Sequence, residues 1–305
     1  MCMLSICMIT YNQELFVVEA IESVVHQKTD FPFELVISDD CSTDSTPSII
    51  QSYKQQYPEL IRIIPRAENL GMIENFLQTI RECKSKYIAF LEGDDYWTDN
   101  HKLQKQVDLL ERIPGIAVCS HPVRIKNQQT GTLGKLKTIK IKRLTSTKDI
   151  LMLNYIATCS VVFRNLNKGV FPDWIRSLSM GDWPVHILNS LHGDIYCLPE
   201  YMGVYRVHGT SGWSKNLSSI SGKIKTTEKK LELFMELKNN FPAKWQGIIS
   251  SQISTYQKLI EIYSRLGENK DAGINTWLWL TWKSLTGHFD SRVCLKVIIK
   301  SMITR

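Results

Sequence analysis

Residues 87–97 read Tyr-Ile-Ala-Phe-Leu-Glu-Gly-Asp-Asp-Tyr-Trp, and they carry the clearest sign of the fold class. Its first five residues are uncharged and mostly apolar, which is the length and character of a buried β-strand. Glu92 and Gly93 end the apolar run, and the carboxylates of Asp94 and Asp95 follow at once. The pattern predicts a buried strand that brings a cluster of carboxylates to one edge of a sheet.

Two further apolar runs of strand length, each followed by polar residues, occur upstream. Residues 3–10 and 34–38 are apolar runs of strand length, and an amphipathic helix pattern lies between them over residues 17–25. A third strand is predicted at residues 60–64. Further helices are predicted at residues 46–57, 73–80 and 103–110. Strands separated by helices of this length predict an α/β fold in which helices flank a central, mostly parallel sheet.

Ligands of such sheets bind beyond the carboxyl ends of the strands. Three polar groups fall there: Thr10-Tyr11-Asn12, Asp39-Asp40 and Gly93-Asp94-Asp95. Adjacent carboxylates repel each other, and hard cations such as Mg²⁺ or Mn²⁺ relieve that repulsion with oxygen ligands. The alternative for each pair is a solvated turn whose aspartates cap the next helix. The residues alone leave both interpretations open.

The rest of the chain is less regular. Strands are predicted at residues 116–125, 136–141 and 155–163, a helix from Trp183, and an extended run over residues 201–208. A serine-rich stretch at residues 214–221 predicts a boundary. We therefore expect a catalytic domain over residues 1–214 and a helical C-terminal extension over residues 215–305.

The basic residues are concentrated in that extension. The chain has 37 Lys and Arg against 30 Asp and Glu, a net charge of +7. Residues 1–214 contain 22 basic and 23 acidic side chains, and residues 215–305 contain 15 and 7. Because the motif-rich part is neutral, we expect no nucleic-acid partner. Basic residues next to Trp277, Trp279 and Trp282 suit peripheral contact with an anionic membrane, and packing on the catalytic domain is the alternative.

Nothing in the sequence predicts secretion or a membrane span. The start lacks a basic region before its apolar run, and the uncharged stretches 150–163 and 272–282 are shorter than the roughly 18 residues that a bilayer requires. The eight cysteines have no zinc-site spacing and most lie in apolar runs. We therefore expect reduced cysteines in a cytoplasmic protein that has at most peripheral membrane contact.

Taken in order, the polar groups resemble those of a known family. Residues 5–12, 34–44 and 87–97, followed by Met180-Gly181-Asp182-Trp183 and Tyr205-Arg206-Val207-His208, are similar to the motifs of a family 2 glycosyltransferase with the GT-A fold. The resemblance covers about residues 3–210. Cys41 stands where the family most often has glycine.

The resemblance implies an enzyme of polysaccharide biosynthesis that uses a nucleotide-sugar donor, most often a uridine diphosphate sugar. Asp40 is expected to hold the imide edge of the base, Asp94 to lie near the ribose or sugar, and Asp95 and His208 to bind Mn²⁺ or Mg²⁺ on the diphosphate. The expected nucleotide-sugar-binding residues are Thr10, Tyr11, Asn12, Glu14, Asp39, Asp40 and Asp94. A metal there offsets the charge of the departing diphosphate.

An inverting transfer also needs a base beside the acceptor hydroxyl. Asp182 matches the acidic element of the family and opens a predicted helix, so the resemblance implies this role. The alternative is a helix cap, with Pro184 just inside the helix. For His208 the alternative is a structural, hydrogen-bonded histidine.

The acceptor implied is a glycan or a lipid-linked saccharide. Lys135, Lys137, Lys140, Lys142 and Arg143 alternate partly with apolar residues, which suits either a solvated strand face or contact with an anionic acceptor. Two other functions stay open: a catalytically silent protein that binds sugar nucleotides, and a sugar nucleotidyltransferase. Against the second, residues 8–15 contain no glycine for a phosphate-binding loop.

Overall fold

A computed structural model of the protein describes residues 2–135, 143–208 and 219–268. The described residues fall into two compact units, one up to residue 208 and one from residue 219. The boundary predicted at residues 214–221 lies mostly outside the described residues and stays a prediction.

The first unit is built on an eight-stranded sheet in the order β3-β2-β1-β4-β10-β6-β11-β9. Strand β1 pairs in parallel with β2 on one side and β4 on the other, and Thr10 lies opposite Asp39. Strands β10 and β9 run antiparallel to their neighbours. The strands are β1 Leu4–Thr10, β2 Phe33–Asp39, β3 Ile61–Ile63, β4 Tyr87–Phe90, β6 Ile116–Ser120, β9 Leu144–Thr145, β10 Val162–Arg164 and β11 Asp194–Cys197.

Helices connect these strands, as the alternating pattern predicts. They are α1 Val17–Val25, α2 Thr46–Gln56, α3 Met72–Glu82, α4 Lys102–Arg112, α5 Thr147–Met152 and α6 Asp182–Asn189. Helix α1 buries Val17, Ala20, Ile21 and Val24 against the sheet, which is the face that its periodicity predicts. The predicted fold class, a mixed α/β protein with a large central sheet, is confirmed.

A second, four-stranded sheet was not predicted. Its strands are β5 Tyr96–Trp97, β12 Gly203–Val207, β7 Val123–Asn127 and β8 Leu133–Lys135, in the order β5-β12-β7-β8. Strand β5 follows the acidic cluster directly, and β12 pairs with it in the antiparallel sense. This pairing brings the end of β12 to the carboxyl edge of the large sheet, next to residues 92–95.

Two strand predictions are wrong. Residues 116–125 form β6 and the start of β7, which belong to different sheets, because Pro122 cannot donate the ladder hydrogen bond of a continuous strand. Within residues 155–163, Thr158–Ser160 form a 3-10 helix, and β10 begins only at Val162. Side chains of Trp97 and Gln106 bind the carbonyls of Cys159 and Ser160, in place of a neighbouring strand.

The second unit contains two long helices, α7 Ile220–Asn240 and α8 Gln246–Glu268, joined through a 3-10 turn at Ala243–Trp245. They pack through apolar side chains that include Phe234 and Tyr256, whose rings lie 5.5 Å apart. None of the described helices combines the length and apolar character that crossing a membrane requires. The tryptophans at 277, 279 and 282, and most of the basic stretch 135–143, lie outside the described residues.

Candidate active site

Backbone hydrogen bonds bring the three predicted polar groups together at the carboxyl edge of the large sheet. The amide of Asp40 donates to Thr10 O at 2.9 Å, and the amide of Gly93 donates to Ile9 O at 3.1 Å. The ends of β2, β1 and β4 therefore lie side by side. One continuous edge carries Thr10, Asp40 and the acidic cluster.

The turn after β2 is held to the loop after β1 by side-chain hydrogen bonds. Asp39 accepts from the amide and hydroxyl of Ser42, and Asn12 Oδ1 accepts from the amide of Thr43 at 2.8 Å. Glu14 Oε2 accepts from the amide of Ser45 at 2.9 Å. The carboxylates of Asp39 and Glu14 are therefore bound within the loops, whereas the Tyr11 side chain is 48% exposed.

Cys41 occupies a backbone conformation that favours glycine. Its φ is 59°, in the left-handed region where a Cβ costs about 1–2 kcal/mol. The family's usual glycine at this position therefore has a physical reason, and this chain accepts the strain.

Asp40 is buried and receives two backbone amides. Leu70 N donates to Oδ1 at 2.8 Å and Gly71 N to Oδ2 at 2.9 Å, at the start of α3. The Asn69 side chain donates to the Asp40 carbonyl at 2.8 Å. The carboxylate thus fixes the turn before α3 to the sheet edge, while each oxygen keeps a second lone pair for another donor.

Gly93 lies where a side chain would not fit. A Cβ at this position would lie 2.4 Å from Gln13 Oε1 and 2.9 Å from Thr10 Oγ1. Both of those oxygens are buried, and neither has a hydrogen-bond partner among the described residues. Two unpaired polar atoms beside a glycine suit a ligand that approaches the backbone closely.

The acidic cluster meets the end of β12. Asp94 Oδ2 lies 2.8 Å from His208 Nε2. Asp95 is 1% exposed, and its Oδ1 accepts from the amide of Arg206 at 2.8 Å, whereas its Oδ2 has no hydrogen-bond partner in the described part of the chain. Burial and the neighbouring Asp94 raise the pKa of Asp95 well above its usual value.

Arg206 stabilises the contact between the acidic cluster and the end of β12. Its side chain is buried, donates to the Asp94 carbonyl at 2.9 Å and forms an ion pair with Glu19 of α1. The guanidinium also lies over the rings of Phe16 and Tyr96, at 5.2 and 4.6 Å from their centroids. Arg206 therefore positions the loop of residues 94–95.

Asp182 reaches the same region from α6. Helix α6 begins at Asp182, and no side chain caps it, so the cap alternative for this aspartate is wrong. Its Oδ2 instead accepts from Asn154 Nδ2 at 3.1 Å. Burial, followed by the charges of Asp94, Asp95 and Asp182, raises the pKa of Glu92 well above its usual value. Asp182 is therefore within electrostatic range of the acidic cluster.

Helix α3 connects this side of the site to the turn that Asp40 holds. A Cβ on Gly181 would lie 2.7 Å from the ring of Phe76 and 3.6 Å from Ile73 Cδ1. The residue before Asp182 thus packs directly on the first turns of α3.

The caps predicted as alternatives for the other aspartates are also absent. Helix α4 starts after His101, whose amide donates to Asp99, and Asp94 and Asp95 take no part. Asp44 accepts from the amide of Thr46 at the start of α2. Neither pair therefore caps the helix that follows it: Asp39 and Asp40 bind neighbouring turns, and Asp94 and Asp95 bind the end of β12.

The sequence did not predict how three residues of the site act. Glu92 was visible as part of the acidic cluster but had no assigned role. Arg206 lies on a strand with alternating polarity, where an exposed side chain is the default. Asn154 has no motif around it, and only the fold brings it to Asp182.

Comparison with known proteins identifies the family. Residues 5–171 match the model of Glycosyl transferase family 2. The chain belongs to this family. The membership agrees with the motif resemblance and supports a transferase enzyme.

Relatives of this family 2 chain include an uncharacterized protein of Mycobacterium tuberculosis, which is 40% identical over 210 residues. The match covers 69% of this chain and 60% of the relative. The chain thus spans less than two thirds of that relative's length.

Solved structures confirm the GT-A fold. The mannosyltransferase PcManGT from Pyrobaculum calidifontis, in complex with GDP-Man and Mn²⁺, is similar with a TM-score of 0.63 at 14% identity, over 95% of this chain and 81% of that one. TarS of S. aureus, in complex with UDP-GlcNAc, has a TM-score of 0.60 at 17% identity, over 85% of this chain and 72% of that one.

Proposed function

We propose that this chain is an inverting, metal-dependent glycosyltransferase. It moves a sugar from a nucleotide-diphosphate donor, with uridine diphosphate sugars as the first class to test, to a hydroxyl of a glycan or lipid-linked saccharide. The observation that carries the proposal is the position of α6, which begins at Asp182. Gly181 packs on α3, whose first turn Asp40 holds to the sheet edge, and the His186 ring lies 6.3 Å from the ring of Phe90, which ends β4 just before the acidic cluster.

In this mechanism Asp182 takes the proton of the acceptor hydroxyl as its oxygen attacks the anomeric carbon. The bond between that carbon and the diphosphate oxygen breaks, and the nucleoside diphosphate leaves with the electron pair. Attack opposite the leaving group inverts the anomeric centre. Thr10, Gln13 and Asp40 line the edge where the nucleotide binds.

The set of side chains that could hold a metal ion is the least complete part of the site. No group of three His, Cys, Asp or Glu side chains in the described residues is arranged to hold an ion. Asp94 and His208 nevertheless form a close pair, and two protein ligands with substrate phosphates are a common set for Mg²⁺ or Mn²⁺. When bound, the ion would offset the charge of the departing diphosphate. This geometry favours Asp94 with His208 as the ligands, and Asp95, whose buried Oδ2 has no hydrogen-bond partner among the described residues, is the alternative to Asp94.

The test is a thermal-shift screen followed by an activity assay. UDP-GlcNAc, UDP-glucose and GDP-mannose are offered with and without MnCl₂, and donor turnover is then measured for wild type and Asp182→Asn. We expect metal-linked stabilisation by at least one donor in both proteins. The substitution lowers turnover by about 10²–10⁴-fold. Donor binding without turnover in the wild type would favour the silent binding protein.

A further inference from the structure

Asn154 donates a hydrogen bond to Asp182 and belongs to no motif of the sequence. It lies in the irregular segment between α5 and the 3-10 helix at Thr158–Ser160, and its side chain is partly buried. Its Nδ2 donates to Asp182 Oδ2 at 3.1 Å. No other side chain of the described residues is hydrogen-bonded to that carboxylate. We propose that Asn154 is a positioning residue for the Asp182 base, an inference that rests on the proposed function.

The direction of the Asn154 amide is set by a second contact. The amide of Ile156 donates to Asn154 Oδ1 at 3.3 Å. A side-chain amide has one accepting end and one donating end. Because the oxygen accepts from the backbone, the NH₂ group faces Asp182 and donates to it.

Buried contacts hold the two partners in register. Trp183 Nε1, next to Asp182, donates to the carbonyl of Ile150 in α5 at 2.9 Å. Tyr155, next to Asn154, shares a hydrogen bond of 2.5 Å with Thr145. The chain neighbours of both partners are thus anchored to the same part of the fold.

The charges around Asp182 explain why an uncharged donor such as Asn154 matters there. The charge of Asp182 contributes, after burial, to the raised pKa of Glu92 beyond the end of β4, and His186 lies one helical turn further along α6. Burial lowers the pKa of His186 to about 4, so its ring is neutral near pH 7 and supplies no counter-charge. Asp182 has no ion pair within the described residues. The uncharged amide of Asn154 therefore supplies a hydrogen-bond donor to this carboxylate without adding a positive charge.

The test compares three substitutions. Asn154→Ala removes the donor, and Asn154→Asp replaces it with a carboxylate of the same shape, so it also serves if the alanine variant folds poorly. Asn167→Ala is the matched control, because Asn167 Nδ2 donates to Asn189 Oδ1 at 3.0 Å, at the far end of the same helix. Each variant is assayed for turnover of UDP-GlcNAc and GDP-mannose with MnCl₂ between pH 5 and 9, and its thermal midpoint is recorded.

A base that loses a donor to its charged form has a higher pKa. We therefore expect Asn154→Ala to lower kcat by about 10- to 100-fold, to leave the donor KM nearly unchanged, and to move the acid limb of the pH profile to higher pH. Asn154→Asp should move that limb further, through like-charge repulsion. In an Asp182→Asn background, Asn154→Ala should have no further effect on kcat.

Two results would overturn the inference, and they are distinguishable. If the wild type turns over donor and Asn154→Ala behaves like Asn167→Ala, with the acid limb unmoved, Asn154 is a structural tether only. If the wild type binds donor but turns none over with either sugar nucleotide, the proposed function fails, and the positioning role fails with it.

Discussion

The two aspartate pairs lie at the same sheet edge, yet their carboxylates are held in different ways. At 39–40 each of the four oxygens accepts a hydrogen bond, from Ser42 for Asp39 and from the amides of residues 70 and 71 for Asp40. At 94–95, within the described residues, one oxygen of each aspartate has a partner: His208 for Asp94 and the Arg206 amide for Asp95.

The difference indicates that the pair at 39–40 stabilises the fold, whereas the pair at 94–95 forms a charged site. The first pair receives donors from nearby turns, so its negative charge is compensated when those turns form. The second pair depends on β12, more than a hundred residues later. Burial and, after it, repulsion between the carboxylates raise the pKa of Asp95 and Glu92. A cation would relieve that repulsion at 94–95, whereas the pair at 39–40 has little need of one.

The largest expected effect is on the second pair. Asp94→Asn removes a charged ligand from the Asp94–His208 contact. Turnover of UDP-GlcNAc or GDP-mannose with MnCl₂ should fall by at least about 100-fold, because transition-state charge on the diphosphate loses its counter-ion. The loss of Mn²⁺-linked thermal stabilisation by the donor is the second measurement.

Asp108→Asn is the control for this prediction, because Asp108 is exposed on α4 and its one side-chain hydrogen bond within the described residues is to Gln104. It should keep both turnover and metal-linked stabilisation. If Asp94→Asn keeps them too, and Asp95→Asn loses them, the metal role belongs to Asp95, as the family resemblance implied.

For stability the order is reversed: a substitution in the pair at 39–40 should have the larger effect. Asp40→Asn places an NH₂ group against two backbone amides that need an acceptor, so we expect a loss of about 2 kcal/mol in the free energy of unfolding. Asp95→Asn keeps an oxygen for the Arg206 amide and removes a repelled charge. It should leave stability equal or raise it by about 1 kcal/mol.

Urea denaturation of the metal-free protein measures both changes. Equal destabilisation by the two substitutions would mean that the pairs are held alike, and the comparison would fail.

The last prediction concerns the pH dependence of stability and a buried lysine beside Trp97 of β5. Lys102 is fully buried with its Nζ 4.1 Å from the Trp97 ring centroid, and burial lowers its pKa to about 7. An unfolded lysine titrates near 10.4. Between these values the unfolded chain binds more protons, so this residue makes stability rise with pH by up to about 1.4 kcal/mol per unit.

Lys102→Met should reduce that slope between pH 7 and 9 and raise stability near pH 7. The free energy of unfolding, measured by urea denaturation of both proteins at several pH values, gives the comparison. Parallel curves for wild type and variant would show that Lys102 keeps its proton in the folded state.

Much of the first hundred residues could be predicted, because each strand and helix there carries its own periodicity. The strand ends and the three polar groups follow from those local patterns, and parallel pairing then places them at one edge. The predictions failed between residues 116 and 163, where uncharged runs were taken for continuous strands. There, Pro122 and the side chains of Trp97 and Gln106 decide the backbone.

The order of strands and helices, the family motifs and the acidic side chains at the strand ends can be predicted from the sequence, since these depend on neighbours a few residues away. The partners of the carboxylates at 94, 95 and 182 depend on the packing of the fold. The donors to Asp94, Asp95 and Asp182 come from His208, Arg206 and Asn154, which are 114, 111 and 28 residues away along the chain. Contacts across such separations leave no periodic trace, because they depend on how sheets and helices pack together.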